Sequence, residues 1–399
     1  MFVRSSFVRF LVLPPVSMAL TIGIPRETEP GESRVALTPT VAGRFRTATD
    51  ATVLVEHDAG DRAFHDDAAY DDAGCTVVDR EAVFDADIVL KVAPPTPDEI
   101  EHLSPGQTLA GFLRPLDQPE TTQALAERGV TALAMELVPR ISRAQKMDAL
   151  SAMSSLAGYR AAVMAANHLP KFFPLLTTAA GTIRPATVLV LGAGVAGLQA
   201  IATAKRLGAR VQGYDIREAT REEIESLGAT FVELELDVDG AQDEGGYAKA
   251  LQKEKQERQP ELLHPHIADA DVVITTALIP GRPAPLLIRE AAVKDMAPGS
   301  VIVDFAAPNG GNCAVTETGE TITAHDVTVI GPTNLPAGMP VHASELYAKT
   351  ITALIEAFID DDGAFHADFD DEIFDGACLT YDGSVHNERV RDLLDGQTA

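Results

Sequence analysis

The stretch TVLVLGAGVAGLQAIATAKRLGARVQGYD, Thr187 to Asp215, decides how the rest of the chain reads. An apolar run suited to a strand buried on both faces leads straight into Gly192-x-Gly194-x-x-Gly197. A helical stretch follows, and a second strand ends at Asp215. The glycines permit a tight turn and let a pyrophosphate approach the helix N-terminus, where free N–H groups and the helix dipole favour an anion. An acid at the end of the second strand suits the adenosine ribose hydroxyls and repels a phosphate on that ribose. The pattern therefore predicts NAD(H) in preference to NADP(H). The bare alternative is a glycine turn that only packs helix on sheet.

Outward from this unit, apolar runs alternate with amphipathic stretches on both sides. ADVVITT and GSVIVDFA continue the series after it, and LTIGI, ATVLVE, DADIVLKVA, QTLAGFL and VTALAME form an earlier series of their own. Between the early strands, Thr38 and Pro39 open one helix and Gly129 follows another. Two such series predict an α/β protein of two doubly wound, parallel-sheet (Rossmann-like) domains. Gln145 to Leu169, rich in small residues, reads as a long helix crossing between them, and Ala343 to Phe358 as a second. The tail from Gly363 to Asp382 is too short for a third domain, so it is expected to return to the first, which is then discontinuous. The expected division is residues 1–17 as a leader or mis-assigned start, 18–144 with 345–399 as the first domain, and 145–344 as the second.

Of the 399 residues, 46% are hydrophobic, enough for two cores. Acids outnumber Lys and Arg by 59 to 32, giving a net charge of −27 spread along the chain, which argues against nucleic acid as a partner. Dispersed acidity also fits a protein that works in concentrated salt, where screening relieves self-repulsion. Cys75, Cys313 and Cys378 lack metal-ligand spacing and fit a reducing compartment without a disulfide framework. The opening MFVRSSFVRFLVLPPVS resembles a signal peptide only superficially, because Pro14 and Pro15 break a short apolar run before Met18. No stretch is long and apolar enough for a membrane span.

A dehydrogenase acting on an alcohol or amine moves a proton as well as a hydride and needs an acid–base group near the nicotinamide. Convincing candidates are scarce: His264 and His266 flank Pro265 at a helix entry, and His57, His65 and His102 carry no further signal.

Several segments carry a resemblance. GIPRETEPGESRVALTP, PRISRAQKMDALSAMSSLAGYRA, AAGTIRPATVLVLGAGVAGLQAIATAKRLGA, DEGGYAKAL, ITTALIPGRPAP, VDFAAPNGGNC and CLTYDGSV resemble the NAD(H)-binding component of proton-translocating nicotinamide nucleotide transhydrogenases. The match runs from Met18 to the C-terminus. Alanine dehydrogenase is a related family, in which a catalytic Lys, a His and an Asp handle protons; the matching places here hold Ala93, Arg114 and Pro308. Hydride transfer between two nicotinamides needs positioning rather than a proton relay, so their loss accords with the transhydrogenase resemblance.

That resemblance implies roles for particular residues. Arg140, Gln145 and Asp148 would form the loop that orients the dihydronicotinamide and meets a second nucleotide. Ser151 would contact the carboxamide, and Val195, Asp215, Ile216 and Arg217 would line the adenosine side. Gly246 and Tyr247 would belong to a mobile loop closing over the nucleotide, with Leu278 beneath it. It further implies NADP(H) held by a partner subunit, membrane-embedded subunits that move protons, a homodimer, and a cytoplasmic location at the inner face of the membrane. The rival readings are an amino-acid dehydrogenase of the alanine dehydrogenase type and a non-catalytic NAD(H)-binding module. Family members commonly carry an acid where Pro308 and Asn309 stand, a departure at the edge of the site.

Overall fold

The computed structural model describes residues 19–234, 258–278 and 281–397. The expected leader, Gly246 and Tyr247 fall outside them. Among the described residues the chain builds an eight-stranded sheet, a seven-stranded sheet and a two-stranded hairpin.

The first sheet sets Thr76–Val78, Thr52–Glu56, Thr21–Ile24, Ile88–Leu90, Thr108–Gly111 and Thr131–Ala134 side by side, all parallel. Near its end the chain comes back to lay Cys378–Tyr381 antiparallel to Thr131–Ala134, and Ser384–Val385 forms the edge. The first domain is thus assembled from two separated parts of the chain. In the second sheet the parallel order is Thr230–Phe231, Arg210–Tyr214, Thr187–Leu191, Val272–Thr275, Val301–Asp304 and Val327–Ile330. An antiparallel strand, Thr321–Ala324, closes it. Both parallel series reverse direction beside their first strand, which creates the crevice where doubly wound proteins bind ligands.

Residue choice accounts for the layering. Val272–Thr275 and Val301–Asp304 are buried at every position, as strands covered on both faces must be. The first joining helix is Ala149–His168, and Ala157, Ala161, Ala162 and Ala165 are buried along it. It begins later than the sequence suggests: Ser142–Met147 winds as a 3₁₀ helix, and Asp148 then caps the α-helix. The small residues allow close approach to the helix Val195–Arg206 that follows the glycine turn. At Gly158 a Cβ would stand 2.1 Å from the carbonyl oxygen of Ala196, so only glycine fits. The second joining helix, Pro340–Glu356, starts earlier than expected because proline is at home in a first helical turn. It sends fully buried Tyr347 onto the first sheet, where the phenol donates to the Lys91 carbonyl at 2.6 Å.

The hairpin Leu176–Thr178 and Gly181–Ile183 was not foreseen, since its mostly exposed residues follow no burial pattern. No helix among the described residues is long and apolar enough to cross a membrane.

Candidate functional site

The glycine turn lies at the C-terminal end of Thr187–Leu191, in the crevice of the second sheet. Gly192 has φ +100°, a backbone shape that favours glycine. A Cβ on Gly197 would collide with the Gly192 carbonyl oxygen at 1.9 Å, which fixes the helix tightly against the turn. Gly194, by contrast, has nothing within 4 Å of its would-be Cβ and leaves open space in front of the helix N-terminus. That space belongs to a cleft of about 340 Å³. Gly192, Gly194, Asp215, Ile216, Arg217 and Leu278 all stand in its wall. Val195, 43% exposed, opens the helix beside it.

Asp215 directly follows the strand Arg210–Tyr214, with its side chain almost buried. One carboxylate oxygen accepts the Arg217 N–H at 2.9 Å and the Arg217 Nε at 2.9 Å. The other accepts the Ala193 N–H at 2.8 Å and Arg217 Nη2 at 3.0 Å. Burial pushes this carboxyl upward, but the Arg217 guanidinium and the two backbone N–H groups outweigh it and hold it below the ordinary range. Sequence reading found Asp215 and Arg217 but not their pairing.

The residues at the mouth of the joining helix are not in that cleft wall. Asp148 accepts the Ser151 N–H at 2.8 Å and the Ser151 hydroxyl at 2.6 Å, so the acid is a helix cap with a preset serine. Arg140 and Gln145 are exposed, and among the described residues no side-chain hydrogen bond or ion pair engages either. Between them Arg143 grips Asp371 through both terminal nitrogens, which ties this loop to the returning C-terminal segment. Gly158, ten positions along the helix from Asp148, touches the helix of the glycine turn. At 1.5 Å per residue the mouth stands about 15 Å along the axis from that contact.

The three places expected to have lost proton-handling groups are plain in the structure. Ala93 is buried at 2% exposure. Arg114, at φ +48°, is held to Glu29 by two hydrogen bonds of 2.8 and 3.1 Å, and its N–H is held by Glu136. Pro308 is exposed in a 3₁₀ turn. None of the three is a Lys, His or Asp of the kind that proton transfer would use.

Sequence reading missed the supports of the cleft. Gln259 donates to the Tyr214 hydroxyl at 2.8 Å inside its wall. Fully buried Asp304 gathers the turn after the next strand by accepting from Thr275, Thr316 and the N–H groups of Ala306, Asn312 and Cys313. Asn312 in turn donates to the carbonyls of Ala277 at 2.9 Å and Pro285 at 2.8 Å, two further wall residues. The run VDFAAPNGGNC carried the signal only as polar residues amid glycines.

A glycine turn, a helix N-terminus and a ribose-binding type of acid at the switch point of a doubly wound sheet define a dinucleotide-binding class of protein. Within that class the chain belongs to the alanine dehydrogenase/PNT family. The family's N-terminal domain matches residues 23–157 and its C-terminal domain residues 161–388. The sequence is 43% identical over 389 residues to an NAD(P) transhydrogenase subunit alpha polypeptide of Rhodospirillum rubrum, covering 95% of this chain and 100% of that protein. It is 33% identical over 390 residues to the alanine dehydrogenase of Bacillus subtilis (strain 168), covering 94% and 95%. In structure it resembles the transhydrogenase from Sinorhizobium meliloti, with a TM-score of 0.83 at 39% identity over 92% of this chain and 99% of that one. An L-alanine dehydrogenase is also similar, with a TM-score of 0.77 at 26% identity over 94% and 99%.

Proposed function

We propose that this chain is the NAD(H)-binding subunit of a proton-translocating transhydrogenase, exchanging hydride directly with NADP(H) held by a partner subunit. The observation that carries the reading is an intact dinucleotide cleft combined with Ala93, Arg114 and Pro308 where dehydrogenase chemistry would need proton-transfer groups. The same observation disfavours the alanine dehydrogenase alternative.

The chain's residues fit NAD(H), because the space before Gly194 would be lost to any Cβ. When bound, the nicotinamide supplies the hydride. The helix N-terminus at Val195 holds the pyrophosphate by its N–H groups and dipole. Asp215 takes the adenosine ribose, with Ile216, Arg217 and Leu278 around it. The Ser151 hydroxyl donates to Asp148, so its lone pairs are free to accept from a carboxamide N–H. Arg140 and Gln145 are left to fix the ring and meet the partner's nucleotide.

In this reading residues 145–344 hold the nucleotide, and 18–144 with 345–399 form the other unit. Membrane-embedded subunits move the protons, and the chain works on the cytoplasmic side of the membrane. A homodimer is favoured by the hairpin, since a two-stranded sheet with Ile183 46% exposed, preceded by Leu175 at 60%, is marginal without a cover.

The test is to titrate the full chain with NADH and NADPH by nucleotide fluorescence, then to add an NADP(H)-loaded partner and follow transfer. NADH is expected to bind selectively, and transfer to require the partner. Gln145→Asn and Asp148→Asn should each slow transfer by roughly tenfold to a hundredfold with little change in NADH affinity. Asparagine still caps a helix, so the second variant keeps its fold. Alanine-dependent NADH formation without a partner would sink the proposal.

A further inference from the structure

A carboxylate offers about four acceptor positions. At Asp215 all four are taken. Two belong to the backbone N–H groups of Ala193 and Arg217, which the turn fixes in place. The other two, one on each oxygen, hold Nε and Nη2 of the Arg217 side chain. These are the positions that a ribose with two adjacent free hydroxyls would need. Arg217 itself stands in the cleft wall, its side chain 60% exposed, so it can leave into solvent.

We infer that Arg217 is an internal competitor for Asp215, a specificity-determining residue whose guanidinium holds the two diol-binding positions until a ligand with a free vicinal diol displaces it. The inference rests on the NAD(H) reading and deepens it. A ribose bearing a 2′-phosphate keeps one hydroxyl, so it replaces only one of the two N–H donors. The guanidinium therefore stays on Asp215 and keeps the carboxylate neutralised beside the phosphate. Discrimination against it in the wild-type chain thus comes from incomplete displacement, and removing Arg217 adds unmasked charge. The acid alone, paired as it is, would repel a phosphate weakly.

The test measures the affinity of the full chain for NADH and NADPH in wild type, Arg217→Ala and Arg217→Lys, at low and molar sodium chloride. Without the competitor, Arg217→Ala should bind NADH up to about fivefold more tightly, the scale of an exposed ion pair. NADPH should not gain, because Asp215 is no longer neutralised, so the NADH-to-NADPH selectivity widens. Arg217→Lys keeps the charge without the two parallel N–H groups and should fall between. Salt screens the exposed pair, so the difference between wild type and Arg217→Ala should shrink in molar salt. Weaker NADH binding by Arg217→Ala, or an unchanged or narrower selectivity, overturns the inference and makes Arg217 a plain nucleotide contact. A wild-type chain that binds neither nucleotide overturns the NAD(H) reading, and this inference with it.

Discussion

Lys91 is 1% exposed and lies between two carboxylates, 3.1 Å from Glu27 and 3.2 Å from Glu99. Arg80 joins the cluster through Glu99 at 2.6 Å and Glu56 at 2.8 Å. Burial pushes the Glu99 carboxyl up, but Lys91, the Thr96 N–H and Arg80 outweigh burial and hold it below its ordinary value of 4.5. A carboxyl lowered by folding stabilises above its unfolded pKa, and that stabilisation is lost as pH falls through the folded one. Glu27 runs the other way: burial prevails over Lys91 and raises it. Its contribution favours the folded state below the unfolded value and fades as pH rises through the folded one. Replacing Lys91 with Met leaves buried Glu27 without its cation, while Glu99 keeps Arg80 and the Thr96 N–H, and should cost about 3–5 kcal/mol near neutral pH. Part of that loss should return near pH 5, where a stranded carboxyl can protonate. Chemical denaturation at the two pH values checks both; a loss below about 1 kcal/mol, with no recovery, would show the cluster to be dispensable. Residues 27, 91 and 99 are scattered, so no local pattern announced this cluster. Asp215 and the glycines were legible because their chemistry lies in one short run.

At the scale of elements, strands such as Val272–Thr275 were legible from the continuous apolar runs that burial on both faces demands, although the largely buried Val327–Ile330 was not. The edge strand Thr321–Ala324, with every other residue exposed, and the exposed hairpin escaped for want of that demand. The joining helix was legible from its small residues, though its start was set by the Asp148 cap rather than by propensity. Its contact with the glycine-turn helix yields a sharp expectation. In Gly158→Ala the new methyl meets backbone, with the Ala196 carbonyl carbon at 2.9 Å as well as its oxygen, so the helices must part. The cost should be about 1–3 kcal/mol, lowering the thermal midpoint by about 2–4 °C per kcal/mol. NADH affinity should fall too, because in the proposed reading the displaced helix N-terminus is the one that faces the pyrophosphate. Calorimetry and a nucleotide titration on one sample test both, and an unshifted midpoint would contradict the close contact.

The whole molecule carries −27 charges, and the ion pairs seen do not remove that excess. Screening shortens from about 10 Å at 0.1 M salt to about 3 Å at 1 M. The thermal midpoint should therefore climb as sodium chloride is raised over that range, and a flat or falling midpoint would mean that self-repulsion is minor. The two-domain plan was legible from two series of strands, and the return of the tail from its shortness. The interdomain hydrogen bond from Asn334 to Glu32, at 3.0 Å, was not, since nothing in sequence links positions so far apart. The returning strand has a consequence for biosynthesis. The Thr380 hydroxyl donates to the Val130 carbonyl across 250 positions of chain. A ribosome adding about 5–20 residues per second delivers Thr380 on the order of ten to fifty seconds after Val130. During that interval the edge of Thr131–Ala134 stands unpaired in the nascent chain, a surface open to wrong partners. The second domain can close while the first still waits for its last strand, so the half of the protein made first is the half finished last.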